Sequence, residues 1–244
     1  MTAAKMLYVT LKMDYTKNPD MKSVDSLKYV LGDMGATAAW AALDGLRHKY
    51  FVYDSETDTC SGVYVFYSQK ALDEYMGSEL FKAQGEYPHV SEVEATVLDV
   101  IPGTELSIEK TAWPSTPPTR EELVQGKMLI VDITMKFDTG VEGLPTKPEE
   151  LYGFMAAPPN GMGYPGMFGC LKGLRGKYFC YDKKIDHCYG FYTFINQAGL
   201  DEYMASDLFT AQGEPPHIAA LTYKVHDILP GTERAMDLGS WGGK

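Results

Sequence analysis

The sequence has few cations and no long apolar run. Its 22 Lys and Arg residues face 33 Asp and Glu residues, for a net charge of −11. Binding to phosphate groups needs clustered Lys and Arg, so we expect neither nucleic acid nor an anionic membrane surface as a partner. No apolar stretch approaches the roughly 18 residues of a membrane span. The first residues also lack an apolar run of signal-peptide length, so we expect a cytoplasmic protein.

Cysteine is scarce and unclustered. The four cysteines, Cys60, Cys170, Cys180 and Cys188, form no Cys-x-x-Cys pair, so the sequence gives no sign of a zinc or redox motif. Cys180 and Cys188 flank a predicted hairpin turn and could face each other, although buried free thiols are the more common case. No P-loop, dinucleotide-binding turn, Ser-His-Asp pattern or metal-ligand spacing is evident. We therefore expect no cofactor and no metal.

The dominant feature that is present is a stretch that occurs twice. The segment from Gly45 to His89 recurs from Gly173 to His217, at a constant spacing of 128 residues and without a gap. A repeat of this length indicates a duplicated domain, since solenoid units have about 20–50 residues and recur more often. We predict two similar domains at residues 1–106 and 127–244, joined by a Pro-rich connector at residues 107–126.

Each half shows the same order of predicted elements. Apolar residues alternate over Met6–Met13 and Met128–Met135, as in half-buried strands, and a helical pattern follows. Turn residues at 54–59 predict a hairpin. Apolar residues at helical spacing predict one helix over Gln69–Ala83, and a last strand covers Val90–Ile101. The resulting order, β-α-β-β-α-β, predicts an α+β chain of two ferredoxin-like repeats.

The strand Gly62-Val63-Tyr64-Val65-Phe66, followed by the helix opening Ala71-Leu72-Asp73-Glu74-Tyr75, resembles the dimeric α/β-barrel superfamily, and more narrowly its YdhR-type mono-oxygenase-like members. The second copy keeps Gly190, Tyr192, Phe194 and Tyr203, but has Gly199 where that family has alanine. In this superfamily two ferredoxin-like units pack sheet to sheet. The resemblance implies that both units lie on one chain here, as an intramolecular pseudo-dimer.

The resemblance also implies a function. Superfamily members commonly bind an apolar or aromatic molecule between the sheet and its helices, and some oxidise it with O₂ and no cofactor. We therefore expect a mono-oxygenase-like protein acting on a small aromatic or polyketide-like compound. The alternative is a non-catalytic ligand-binding or structural barrel. Haem binding is a third reading, disfavoured because no histidine lies on the retained helix.

Two sets of retained residues are candidates for binding the substrate. The strand aromatics Tyr64, Phe66, Tyr192 and Phe194 could wall a pocket for a flat molecule, although aromatic residues in strands are more often core. Arg47 and Lys49 alternate along one predicted strand, as do Arg175 and Lys177 in the second copy, and these cations could hold a carboxylate or enolate. Ion pairs with the retained acidic residues of the following helix are the alternative for these cations.

Other candidates lie where the copies differ. His48 has Gly176 as its counterpart and is a plausible base near neutral pH. We expect it to line a first-repeat pocket with Tyr8, Thr10 and Trp40.

Asp132 stands where the first copy has Thr10. If it faces a pocket, burial would raise its pKa and make it a second possible base. His89 and His217, each after a proline, fit a turn-capping role better. The loop from Met155 to Leu171 could be a lid, a pocket floor or simple divergence.

Overall fold

The computed structural model describes residues 4–33, 38–104, 106–107, 126–156, 168 and 171–235. Most of the predicted connector, both tail tryptophans (Trp113 and Trp241) and most of the loop from Met155 to Leu171 lie outside these residues. Within the described part of the chain, no helix is both long and apolar enough to cross a membrane.

The first repeat contains the following elements: β1 (Lys5–Met13), α1 (Val24–Lys28), α2 (Ala38–Ala41), β2 (Leu46–Asp54), β3 (Thr59–Phe66), α3 (Gln69–Met76), α4 (Glu79–Glu86) and β4 (Val90–Val100). A short β5 (Leu106–Ser107) follows. The second repeat contains β6 (Lys127–Met135), α5 (Pro148–Ala156), β7 (Leu174–Asp182), β8 (His187–Phe194), α6 (Gln197–Met204), α7 (Asp207–Thr210) and β9 (Ile218–Ile228), followed by a short β10 (Arg234–Ala235). This order confirms the predicted α+β class and its two ferredoxin-like repeats.

Two compact units are formed, one by residues 1–98 with 226–244 and the other by residues 99–225. The strand order is β2-β3-β1-β4 in the first unit and β7-β8-β6-β9 in the second. In the first unit the end of β9 pairs with β2, as in Val52 with Ile228. In the second, the end of β4 pairs with β7, as in Val100 with Cys180. The predicted domain boundaries at residues 106 and 127 stay a prediction.

One prediction within the repeat is wrong. The helix expected over Gln69–Ala83 is two helices, α3 and α4, separated by Gly77 and Ser78. The Ser78 side chain accepts a hydrogen bond from the backbone N–H of Phe81, so it caps a new helix instead of continuing the old one. Ser206 does the same for Phe209 in the second repeat.

A β-bulge near the start of β2 decides which side chains face the helices. Leu46 pairs with Phe66 and His48 pairs with Val65, so Arg47 is an extra residue in the ladder. Leu46 and Lys49 consequently lie on the same sheet face, although they are three positions apart. The second repeat has the same register shift, between Leu174 and Gly176.

The retained glycine of each β-hairpin makes room for a tyrosine of its own strand. A Cβ atom on Gly62 would lie 2.5 Å from Cε2 of Tyr64, and one on Gly190 would lie 2.5 Å from Cε2 of Tyr192. Each tyrosine ring therefore lies back over the glycine two residues before it. Each of these glycines therefore makes room for a side chain of its own strand.

We predict that Gly62→Ala lowers the free energy of unfolding by about 1–3 kcal/mol, because the new methyl group forces the buried Tyr64 ring to move. Gly153→Ala is the matched control. Gly153 lies in α5 with open space at its Cβ position, so alanine there should stabilise by about 0.5–1 kcal/mol. Denaturant unfolding of both variants tests this, and wild-type stability of Gly62→Ala would contradict the packing of Tyr64 over Gly62.

Candidate functional site

The helix-facing side of each sheet carries the retained aromatic residues in register. In the first repeat, one row across the sheet is Leu7, Tyr64 and Lys49. The next row is Val9, Gly62 and Phe51. The second repeat has equivalent rows across β6, β8 and β7: Leu129, Tyr192 and Lys177, then Val131, Gly190 and Phe179. A lysine and a tyrosine therefore stand side by side in both repeats, beside a phenylalanine of the next row.

In the first repeat the lysine amine is enclosed by rings. Lys49 is fully buried, and its Nζ lies 3.5 Å from the ring centroid of Phe51, 4.5 Å from that of Trp40 and 5.9 Å from that of Tyr64. We name these four residues the first cage. It unites three residues predicted to bind substrate, Lys49, Trp40 and Tyr64, with one that was not predicted, Phe51.

The second repeat builds the same arrangement around Lys177. Its Nζ lies 3.4 Å from the ring centroid of Phe179, 3.8 Å from that of Phe168 and 5.8 Å from that of Tyr192. We name these four residues the second cage. Lys177 is fully buried, and burial holds its pKa well below the usual 10.5. The main difference between the cages is that Phe168 takes the place of Trp40.

A hydrogen-bond network borders the first cage. Trp40 Nε1 donates to the Tyr75 hydroxyl at 2.9 Å, and Gln84 Nε2 donates to the same oxygen at 2.9 Å. The Tyr64 hydroxyl donates to Gln84 Oε1 at 3.2 Å. In the second repeat, Gln212 Nε2 donates to the Tyr203 hydroxyl. Phe168 has no N–H group, so the indole bond has no counterpart there.

The tyrosines of both networks are acids that keep their protons. Burial raises the pKa of Tyr64 and of Tyr192 well above 10. Burial also raises the pKa of Tyr75, although hydrogen bonds from Trp40 and Gln84 oppose the shift, and it raises that of Tyr203 to about 12. At neutral pH these hydroxyl groups are therefore hydrogen-bond donors and not bases.

The other predicted wall residues pack against helix tyrosines. The ring of Phe66 stacks on Tyr75 with centroids 5.5 Å apart, and Phe194 stacks on Tyr203 at 5.6 Å. Both phenylalanines are fully buried. Each phenylalanine therefore packs on a helix tyrosine and is not among the rings around the lysine amine.

His48 lies on the opposite face of the sheet from Trp40, Tyr64 and Phe66. It pairs with Val65, and successive residues of a strand point to opposite faces, so His48 points away from the face of Lys49. Tyr8 and Thr10 share the face of His48, as their partners Val63 and Ser61 show. His48 therefore shares a face with Tyr8 and Thr10, whereas Trp40 lies against Lys49 on the other face; a pocket lined by His48, Tyr8 and Thr10 stays a prediction.

Arg47 does not join Lys49 on one strand face. As the extra residue of the bulge it is half-buried, and its guanidinium lies 5.7 Å from the ring centroid of Tyr67. Two helix acids that were expected to pair with the cations are bonded within α3. Glu74 pairs with Lys70 at 2.7 Å, and Asp73 accepts a hydrogen bond from Gln69 at 2.7 Å.

Asp132 is one end of a partly exposed row of hydrogen-bonded side chains that continues through His187 to Thr134. Its side chain is 35 % exposed, and its Oδ1 lies 2.7 Å from Nδ1 of His187. Nε2 of His187 lies 3.3 Å from the Thr134 hydroxyl. This exposed and paired carboxylate lacks the apolar burial that the predicted base would need.

Cys180 and Cys188 do not face each other. Cys180 pairs with Tyr189 and Cys188 with Tyr181, so the two thiols lie on opposite faces of the sheet. Both thiols are buried, and burial raises the pKa of Cys188 to about 12.

Sequence reasoning missed Phe51, Tyr75 and Gln84 as parts of the first cage and its network. A signal was available for each: the sequences KYF, LDEYM and AQGE are identical in both copies. Tyr75 was read as one member of an apolar helix stripe. Gln84 was not singled out, although it is a buried polar residue beside that stripe.

His89 and His217 lie away from the cages. Each backbone carbonyl accepts a hydrogen bond from the residue after the first strand of its repeat: Asp14 N–H donates to His89 and Lys136 N–H to His217, both at 2.8 Å. The His89 ring also bonds the Asn18 amide at 3.1 Å. This geometry agrees with the expected turn-capping role.

No protein-family model matches the chain, and no curated protein matches its sequence. Solved structures do match it over nearly its whole length. A proposed monooxygenase from Lactobacillus acidophilus NCFM is 9 % identical, with 96 % of this chain and 100 % of that chain covered and a TM-score of 0.61. A proposed monooxygenase from Fusobacterium nucleatum is 12 % identical, with 96 % and 98 % covered and a TM-score of 0.62.

A third match is described as an anthrone oxidase-like protein. It is 10 % identical, with 98 % of this chain and 95 % of that chain covered and a TM-score of 0.54. At such low identity these matches speak for the fold alone. They agree with the α+β fold of two ferredoxin-like repeats described above.

We predict that stability falls as pH drops below about 6.5, in part because of His89 and His217. Burial lowers the pKa of both from the usual 6.5. The unfolded chain therefore takes up protons at a pH where the folded protein does not, and protonation favours unfolding. The free energy of unfolding, measured between about pH 7.5 and pH 5.5, should change less steeply in a His89→Gln, His217→Gln double variant. If the free energy of unfolding changed equally steeply with pH in the wild type and in the double variant, the two histidines would not be the cause.

Proposed function

We propose that the protein is a cofactor-independent, mono-oxygenase-like enzyme that acts on a small aromatic or polyketide-like compound between the sheet and helices of the first repeat. The observation that carries this proposal is the first cage: a buried amine, Lys49, facing three aromatic rings beside a tyrosine–glutamine network. The names of the matched structures, two proposed monooxygenases and an anthrone oxidase-like protein, support the same direction.

The cage offers what such a reaction requires of a protein. Aromatic walls stack on a flat ring system. Lys49 can pair with the negative charge of an enolate or phenolate, and in a buried site this attraction is much stronger than in water. The hydroxyl groups of Tyr64 and Tyr75 keep their protons and can donate a hydrogen bond to the same oxygen.

The proposed oxidation needs no reagent other than the substrate and O₂. Lys49 acts as the base and takes a proton from an acidic C–H group of the substrate. The carbanion transfers electrons to O₂ and forms a C–O bond, and the resulting peroxide anion takes up a proton. Loss of water from the hydroperoxide leaves a ketone, so that CH₂ and O₂ become C=O and H₂O. The substrate itself is oxidised and supplies all the electrons.

A specific observation favours a second candidate, a structural or ligand-binding barrel without catalysis. Tyr64 occupies the space over Gly62, and the rings of Phe51, Tyr64 and Tyr75 contact one another in a closed core. In this candidate the retained residues serve packing alone. The site on the opposite face, with His48, Tyr8 and Thr10, is then the remaining place for a ligand.

We also propose a cytoplasmic protein with no nucleic-acid or membrane partner, in which the two repeats make one pseudo-dimer. The net charge of −11 supports the absence of these partners.

Oxygen uptake with anthrones and quinols tests the proposal. We expect Lys49→Met to lower the rate at least about 100-fold, because the substrate loses both its base and the partner of its anion. Lys70→Met is the control: Lys70 is an exposed lysine of α3 that pairs with Glu74, and its loss should leave the rate unchanged.

A His48→Gln variant separates the two sheet faces. Loss of uptake in His48→Gln with full uptake in Lys49→Met would place the reaction on the face opposite the helices and contradict the first cage. If no substrate supports uptake but anthrones quench the tryptophan fluorescence in a saturable way, the non-catalytic candidate is correct.

A further inference from the structure

The second cage holds an amine that the proposed function does not use. Lys177 is 0 % exposed, and its Nζ has no hydrogen-bond partner among the residues that the structure describes. The groups placed nearest to it are the faces of Phe179 and Phe168, at 3.4 and 3.8 Å from the ring centroids. A buried polar atom without a hydrogen bond is costly, so this amine calls for an explanation.

No described group nearby supplies a counter-charge. The thiol of Cys188, on the same sheet face, keeps its proton because burial raises its pKa to about 12. Tyr192 keeps its proton for the same reason. The cation–π attraction to the two rings offsets only part of the free energy that desolvation of an ammonium group costs. Burial therefore lowers the pKa of Lys177 well below its usual 10.5 and favours the neutral amine form.

A desolvated neutral lysine amine is a nucleophile toward carbonyl carbon. The walls of the second cage are three aromatic rings, which suit a flat apolar body. A carboxylate ligand would instead need the ammonium form, which this environment disfavours. The chemistry of the cage thus selects an aromatic aldehyde or ketone.

We propose that Lys177 binds such a carbonyl compound covalently, as an imine. The Nζ lone pair attacks the carbonyl carbon and gives a carbinolamine. The carbonyl oxygen then leaves as water with the two amine hydrogens, and a C=N bond remains. The step is reversible and needs neither oxidant nor reductant. It takes place in the other repeat from the first cage, so it can fail while oxygen uptake persists, and the reverse.

Reductive trapping tests the proposal on the full chain. The protein is incubated at pH 7 with 2-naphthaldehyde and cyanoborohydride, and the labelled lysines are located by peptide mass spectrometry. An exposed lysine is deprotonated to less than about one part in a thousand at this pH. We expect Lys177 to be labelled at least about tenfold faster than any exposed lysine.

Two variants and a binding measurement with benzoate distinguish the possible results. Lys177→Met should abolish the fast label, whereas Lys184→Met, at an exposed position of the same hairpin, should keep it. Labelling spread over the exposed lysines, or at Lys49 alone, would overturn the proposal. So would a cage that binds benzoate and takes no label, because that result would identify Lys177 as an ammonium group for carboxylates. Mapping of the wild-type chain decides the question even if Lys177→Met fails to fold.

Discussion

The burial of a lysine amine under aromatic rings is the constraint on which both repeats depend. Taking an ammonium group out of water costs several kcal/mol, and two or three ring faces return only part of it. The position is nonetheless occupied by lysine in both copies, at Lys49 and Lys177, with the same phenylalanine two residues later. A residue that a leucine could replace for packing alone is kept where its amine lies against the faces of aromatic rings.

Two backbone features determine where the Lys49 amine and the Tyr64 ring lie. The bulge at Arg47 turns Lys49 to the helix face, and the absence of a side chain at Gly62 lets the Tyr64 ring lie along its own strand. The second repeat has both features as well. In each cage, strand register therefore places the lysine, the tyrosine and the phenylalanine that follows the lysine by two positions. A rigid sheet is a good support for a reactive group, because a strand fixes its side chains more firmly than a loop does.

The two repeats share this frame but differ in polarity. Trp40 and Gln84 tie the first cage to Tyr75 by hydrogen bonds, whereas Phe168 closes the second with an apolar ring. The first cage can donate hydrogen bonds to a charged oxygen, and the second offers an amine in an apolar site. This contrast agrees with the expectation that function lies where the copies differ. The differences that matter on the helix face are at Trp40 and Phe168, however, and not at His48.

The sequence by itself determined the duplication, the strand and helix order, and the retained aromatic residues, because alternation and helical spacing are local patterns that residues carry with them. Only the tertiary structure decided which residues meet. The bulge is invisible in the pattern Leu-Arg-His-Lys, yet it places Leu46 and Lys49, three positions apart, on the same face of the sheet. The break between α3 and α4 likewise depends on one serine that caps instead of continuing a helix. A shift of one residue in a strand reverses every side chain beyond it, so a site on a sheet is fixed by register, and register is a property of the paired strands.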